Sequence, residues 1–227
     1  MKLAIHDDRA AQAEALAKVV ARELNEAVAK DGRATLAVPG GATPKQFLSS
    51  LALEAVEWPA VTVIATDERW TPPSDPRSNE AMIRAALGGE VRFLPFWRER
   101  ETPASVAPAL SAMVAELAPL TSVVLGMGGD MHCASLFPMA EGLAEALSLA
   151  SAAHVAAITP PGGELEPRVT LTLKSLSGAQ SLRLLIVGDD KRAAYEAAMA
   201  ESDPLKAPVG AVLRGARRAE VFWAPMR

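Results

Sequence analysis

The stretch Val123 to Pro138, VVLGMGGDMHCASLFP, sets three glycines within four positions and then Asp130 two residues before His132. A neutral imidazole takes a proton from water near neutral pH, and a carboxylate beside it can orient the ring, so the pair suits general base catalysis. On an extended loop residues two apart face the same side, which would bring both groups into one cleft. A core or capping histidine is the plainer alternative. Gly126 and Gly128 match the start of a dinucleotide fingerprint, but Met131 occupies the third glycine position and removes that reading. Cys133, adjacent to His132, would point the other way on extended backbone and is set aside as a nucleophile.

Two further loops carry chemistry. In VTVIATDERW, Asp67, Glu68 and Arg69 follow an apolar run, and Ser78 caps a helix beginning near Asn79. Such a cluster can offer a carboxylate and a guanidinium to one pocket, or form a solvated turn closed by an Asp–Arg salt bridge. In LAVPGGATP, Gly40 and Gly41 let backbone approach a ligand, Thr43 is the expected helix cap, and Pro44 suits the first helical position. Free N–H groups at that helix start would cradle a phosphate, although the lysine and spacing of a P-loop are absent and a simple tight turn has the same look. Arg168, opening PRVTLTL, and Lys191, after VGDD, are candidate phosphate-binding cations. His6 and His154 are assigned structural or surface roles.

These loops need elements to hold them. Leu16, Val19, Val20, Leu24, Ala27 and Val28 trace one helical face that Asp31-Gly32 ends. Thereafter apolar runs alternate with alanine-rich helical stretches. Strands are expected near Ala34 to Val38, Val61 to Ala65, Val91 to Leu94, Ser122 to Leu125, Val155 to Ile158, Arg168 to Leu173, Leu182 to Val187 and Ala219 to Trp223. VTVIA and SVVL lack polar alternation, as in parallel strands buried on both faces. The expected fold is α/β: a doubly wound, mostly parallel sheet of Rossmann-like type with helices on both faces, in one domain spanning residues 1–227. In such a sheet ligands bind at the carboxyl ends of the strands.

Composition narrows the partners. The chain has 227 residues, 50% hydrophobic and 22% charged, with a net charge of −4, so binding of nucleic acid through a general basic field is not expected. The single cysteine excludes an intramolecular disulfide framework, and no second thiol suggests structural zinc. Charged residues interrupt the N-terminal stretch, and no apolar run reaches the ~18 residues of a membrane span. A cytoplasmic protein without membrane contact is expected.

Together PGGATP, TDERW with Ser78-Asn79, LGMGGDMHCASLFP, PRVTLTL and the Gly188 to Lys191 turn closely resemble the 6-phosphogluconolactonase family, in the superfamily shared with glucosamine-6-phosphate deaminase. They span Pro39 to Lys191, and the ensemble is specific where single pieces are not. The resemblance implies an α/β fold and hydrolysis of 6-phospho-D-glucono-1,5-lactone to 6-phospho-D-gluconate in the oxidative pentose phosphate pathway, with no metal or organic cofactor. It implies His132 as the general base for water, Asp130 as its support, Arg69 on substrate charge or the developing oxyanion, and Asp67 in arranging the pocket. Gly40, Gly41 and Thr43 match the phosphate loop, and Arg168 and Lys191 the basic positions that hold the 6-phosphate. The expected partner is a small sugar-phosphate lactone, bound by a monomer or small homo-oligomer.

Departures from the family pattern bear on efficiency. Met131 stands where glycine is typical, and a positive φ there would cost methionine about 1 kcal/mol or more. Ala42 replaces a common serine, and VFWAPMR lacks an aspartate-bearing tail. An amino-sugar phosphate deaminase or isomerase is the first rival. It is disfavoured because ASLFP stands where such an enzyme would carry an acidic residue. A sugar-phosphate-binding protein that has lost catalysis is the second.

Overall fold

Apolar runs without polar alternation are stable only in a sheet covered on both faces, and here they assemble into one. The computed structural model describes residues 1–88, 91–163 and 165–226. Position 164, inside the expected Pro160 to Glu166 loop, and position 227, the end of VFWAPMR, lie outside the described residues. In chain order the elements are β1 (Lys2–Ile5), α1 (Arg9–Asp31), β2 (Ala34–Val38), α2 (Ala42–Leu51), β3 (Val61–Ala65), β4 (Asp67–Arg69), α3 (Asn79–Leu87), β5 (Arg92–Phe93) and α4 (Pro103–Leu117). They continue with β6 (Ser122–Leu125), α5 (Leu143–Ala146), β7 (Val155–Ile158), β8 (Arg168–Leu171), α6 (Leu173–Ser177), β9 (Ser181–Val187), α7 (Asp189–Ala200), α8 (Pro208–Gly215) and β10 (Ala219–Ala224).

The main sheet has seven strands in the order β1-β10-β9-β6-β2-β3-β5, and every neighbouring pair is parallel. From β2 the chain winds outward through β3 to β5, then returns to β6 on the other side. The crevice between β2 and β6 is therefore the topological switch point, where such sheets bind ligands. One core cluster joins α1, α2 and α3 residues such as Leu24, Phe47 and Ile83 to one face. The other cluster covers the opposite face with α4, α6 and α8 residues such as Leu110, Leu176 and Val212.

The main sheet is the expected doubly wound α/β arrangement, but two of the expected strands do not join it. β4, β8 and β7 form a separate three-stranded antiparallel sheet. The expected strand Arg168 to Leu173 is shorter: it ends at Leu171, Thr172 is the cap residue of the next helix, and Leu173 already begins α6. Likewise only Arg92–Phe93 of the expected Val91 to Leu94 run is paired.

Helix α1 follows its sequence signals. Asp8 accepts the Ala11 N–H at 2.8 Å to cap the start, and the Gly32 N–H closes the end on the Val28 carbonyl at 2.9 Å. Its buried Gln12 donates through Nε2 to the Ile186 and Phe222 carbonyls, each at 2.8 Å, which pins α1 to the carboxyl ends of β9 and β10. At the opposite end of the sheet a fully buried Arg183 Nη2 meets Glu23 Oε1 at 2.5 Å, while the Ser122 and Ser181 hydroxyls donate to Glu23 Oε2. Removing one partner of such a buried pair typically costs about 3–5 kcal/mol.

Candidate active site

The crevice at the switch point opens into a cavity of about 490 Å³. Of the expected catalytic and substrate-binding residues, Gly40, Gly41, Thr43, Asp67, Arg69, His132, Arg168 and Lys191 line it, and Asp130 touches it through His132.

The loop after β2 contributes Gly40, Gly41 and Thr43. Thr43 does not cap the helix. Gly41 is the cap residue and α2 begins at Ala42, so Thr43 lies within the first turn and Pro44 follows it. The first backbone bond is Lys45 N–H to the Gly41 carbonyl at 3.1 Å, which leaves the Ala42 and Thr43 N–H groups ahead of the helical ladder. Gly40 also makes room within the protein: a Cβ there would stand 1.8 Å from Asn79 Oδ1. That space lets Asn79 Nδ2 donate to the Asp67 carbonyl at 2.7 Å.

Asp67, Glu68 and Arg69 form the strand β4, not a turn. Alternation turns Asp67 and Arg69 toward the cavity and Glu68 away from it. The buried Glu68 carboxylate accepts the Arg69, Asn79 and Glu80 N–H groups, each at 2.8 Å, and the Ser78 hydroxyl at 3.2 Å. It thereby fastens β4 to the N-terminus of α3, whose cap is Ser78 as expected. Burial pushes the Glu68 carboxyl above its ordinary pKa, against the pull of those N–H donors. Asp67 accepts the Ser135 hydroxyl at 2.6 Å and the Thr66 hydroxyl at 3.2 Å. Among the described residues Asp67 and Arg69 form no ion pair; Arg69 Nη1 donates instead to the Arg77 carbonyl. Its Nε is buried without a partner.

The loop after β6 is a tight turn rather than extended chain. The Met131 N–H reaches the Gly128 carbonyl at 3.2 Å, and the Gly128 N–H reaches the His132 carbonyl at 3.0 Å. Met131 adopts φ 67, the left-handed region in which methionine is strained. Its side chain packs against the core, and its carbonyl accepts the Val209 N–H of α8 at 3.2 Å. The turn brings Asp130 Oδ1 to 2.6 Å from His132 Nδ1. A Cβ on Gly128 would lie 2.2 Å from both atoms, so only glycine leaves room for the pair. The hydrogen bond from His132 holds the Asp130 carboxyl below its ordinary pKa of 3.8. An ionised carboxylate only accepts, so the proton sits on Nδ1 and Nε2 is the basic nitrogen. Phe137 flanks the ring at 4.3 Å between centroids.

Cys133 is fully buried, and that burial pushes its thiol far above the ordinary value. His6 stacks on Phe222, and His154 Nδ1 lies 2.9 Å from Ser175 Oγ, so both are structural as expected.

Arg168 is 6% exposed, with its Nε unpartnered and Nη2 3.8 Å from Glu166 Oε1. Burial lowers its pKa, so an anion in the cavity would compensate its charge. Lys191 lies in the first turn of α7 beside the cavity. Sequence reasoning missed Asn79 as a tether and Arg9 as a lining residue. Nothing local marked either one, since their roles depend on contacts with β4 and with the cavity.

With four cations against Asp67 on its wall and an imidazole base at one side, the cavity suits an anionic substrate attacked by water. Among the described residues no group of three or more His, Cys, Asp or Glu side chains is placed to hold a metal ion. No helix among them is long and apolar enough to cross a membrane.

Comparison with known proteins agrees with this architecture. The model of the glucosamine-6-phosphate isomerases/6-phosphogluconolactonase family matches residues 7–223. The chain is 40% identical to a 6-phosphogluconolactonase of Rhizobium meliloti (strain 1021) over 227 residues, covering 97% of each chain. It is 42% identical to one from Mesorhizobium japonicum, over 96% of this chain and 93% of the relative. The crystal structure of a 6-phosphogluconolactonase from Shewanella baltica OS155 superimposes with a TM-score of 0.93 at 29% identity, covering 99% of this chain and 97% of that one.

Proposed function

The chain belongs to the glucosamine-6-phosphate isomerase/6-phosphogluconolactonase family, and on that premise we propose that it hydrolyses 6-phospho-D-glucono-1,5-lactone to 6-phospho-D-gluconate, a step of the oxidative pentose phosphate pathway. The observation that carries this reading is the 2.6 Å contact between Asp130 and His132 on the wall of a cationic cavity.

In this account His132 Nε2 takes a proton from water, and the hydroxide oxygen bonds to the lactone carbonyl carbon. The carbonyl π pair moves onto oxygen. Collapse of the tetrahedral intermediate breaks the ring C–O bond, and the leaving oxygen recovers the proton from the imidazolium, so one water is consumed. Asp130 keeps the ring oriented and favours the imidazolium while it exists. Arg69 supplies a fixed cation for substrate charge or for the oxyanion, which gains most as charge appears in the transition state. Asp67, fixed by Ser135, arranges the wall beside Arg69. Arg168, Lys191 and the loop of Gly40, Gly41 and Thr43 hold the phosphate, and that remote binding energy positions the lactone. Residues 1–227 act as one domain, in the cytoplasm, as a monomer or small homo-oligomer. The two core clusters, one on each face of the main sheet, support the one-domain reading.

The test generates the 6-phospholactone in place and follows its removal above the spontaneous rate, with ammonia release from glucosamine 6-phosphate measured alongside. Acceleration of lactone loss alone is expected. Ammonia release without lactone hydrolysis would overturn the reading.

A further inference from the structure

Arg9 is the cavity-lining cation that no motif accounts for. It is the first residue of α1, where the chain has just left the carboxyl end of β1, and it reaches the same cavity as Gly40, Gly41 and Lys191. Its position makes poor sense for stability, because a positive charge in the first turn opposes the helix dipole. Neither neighbouring aspartate offsets it by direct pairing. Asp8 is used to cap the helix at the Ala11 N–H. Among the described residues neither Arg9 nor Lys191 joins a salt bridge. Arg9 Nε is moreover buried with no hydrogen-bond partner. A guanidinium partly stripped of water, unpaired and set against the dipole is stabilised by an anion in front of it.

The location says which anion. Arg9 also borders a second, outer hollow with Gln46 of α2, so it stands beside the first turns of that helix. The Ala42 and Thr43 N–H groups lie ahead of the α2 ladder, and both residues line the same cavity. We propose that Arg9 is a substrate-binding residue that grips the phosphate of the sugar lactone from the α1 side, against the N-terminus of α2 and opposite the grip of Arg168 and Lys191. This inference rests on the proposed sugar-phosphate lactone substrate. It adds a specificity role to a residue outside the motifs of the family.

The test compares Arg9→Met, which keeps an apolar stem, with Arg9→Lys, which keeps the charge. Arg9→Met should raise KM for the 6-phospholactone about tenfold or more with kcat changed less than about threefold, and Arg9→Lys should recover most of the loss. The unphosphorylated gluconolactone, with no group for Arg9 to hold, should lose less than the phosphorylated one. A KM within about twofold of wild type, or equal losses on both lactones, would overturn the proposal. Calorimetric binding of inorganic phosphate separates the two claims. If the wild type fails to hydrolyse the phospholactone, the substrate reading falls, whereas weaker phosphate binding by Arg9→Met would still sustain the anion grip. Equal phosphate binding by wild type and Arg9→Met would sink it.

Discussion

Arg69 stands directly opposite Arg168 across the antiparallel pair of β4 and β8, and both line the same cavity. Like charges in register across two strands repel and are destabilising on their own. Each also leaves its Nε buried and unpartnered. A ligand carrying negative charge between or beside the two guanidiniums would relieve this repulsion.

Arg168→Ala should therefore raise KM for the phospholactone about tenfold while kcat falls less. Inorganic phosphate should raise the melting temperature of the wild type more than that of the variant. Equal thermal shifts would argue against Arg168 as a phosphate ligand.

Asp130→Asn should lower kcat about 10- to 1,000-fold, because an amide no longer stabilises the imidazolium. The sign of its pH effect follows from the downward shift of the Asp130 carboxyl by His132. The native pair contributes stability above the ordinary aspartate pKa of 3.8 and loses it as pH falls below that. Acid titrations of stability should show a shallower loss for Asp130→Asn than for wild type in that window.

Met131 holds its left-handed conformation with the Asp130–His132 contact intact. Replacing it by glycine relieves backbone strain of about 1 kcal/mol but removes side-chain packing and enlarges the freedom of the turn. Met131→Gly should thus change kcat by less than about threefold. A gain of about 100-fold would mean that the natural turn is catalytically lapsed, and the protein a binder.

The buried Cys133 thiol should resist disulfide-exchange reagents in the native protein and react once the chain is unfolded. Its folded pKa is raised, mainly by burial and further by the charge of Asp67. Stability is then fully present below the unfolded thiol value of 9.0 and declines as pH rises above it. Cys133→Ser should flatten that alkaline decline.

Much of this was legible because local signals and tertiary need agreed. VTVIA and SVVL are central strands, Ser78 caps α3, and the glycine-flanked Asp130 and His132 meet. What escaped the sequence depended on distant partners. The charged triplet of β4 has little strand propensity of its own and is extended because β8 pairs with it while Glu68 satisfies the start of α3. The runs VAAI and RVTL mark strands, yet nothing in them says that they join β4 and not the main sheet. Thr43 has the residue type of a cap, but α2 starts at Ala42, two residues before the expected Pro44, and β1 was missed in a short run broken by the charge of Lys2. Asn79 and Arg9 acquire their roles only from the cavity and the strand they touch.

The central claim is that His132 activates water. Steady-state hydrolysis of the 6-phospholactone by wild type beside His132→Ala, corrected for spontaneous opening, tests it most directly, with 6-phosphogluconate binding measured on the same samples. The account predicts a fall in kcat of about 100-fold or more, with product binding within about threefold of wild type. A His132→Ala protein that turns over near the wild-type rate would contradict it.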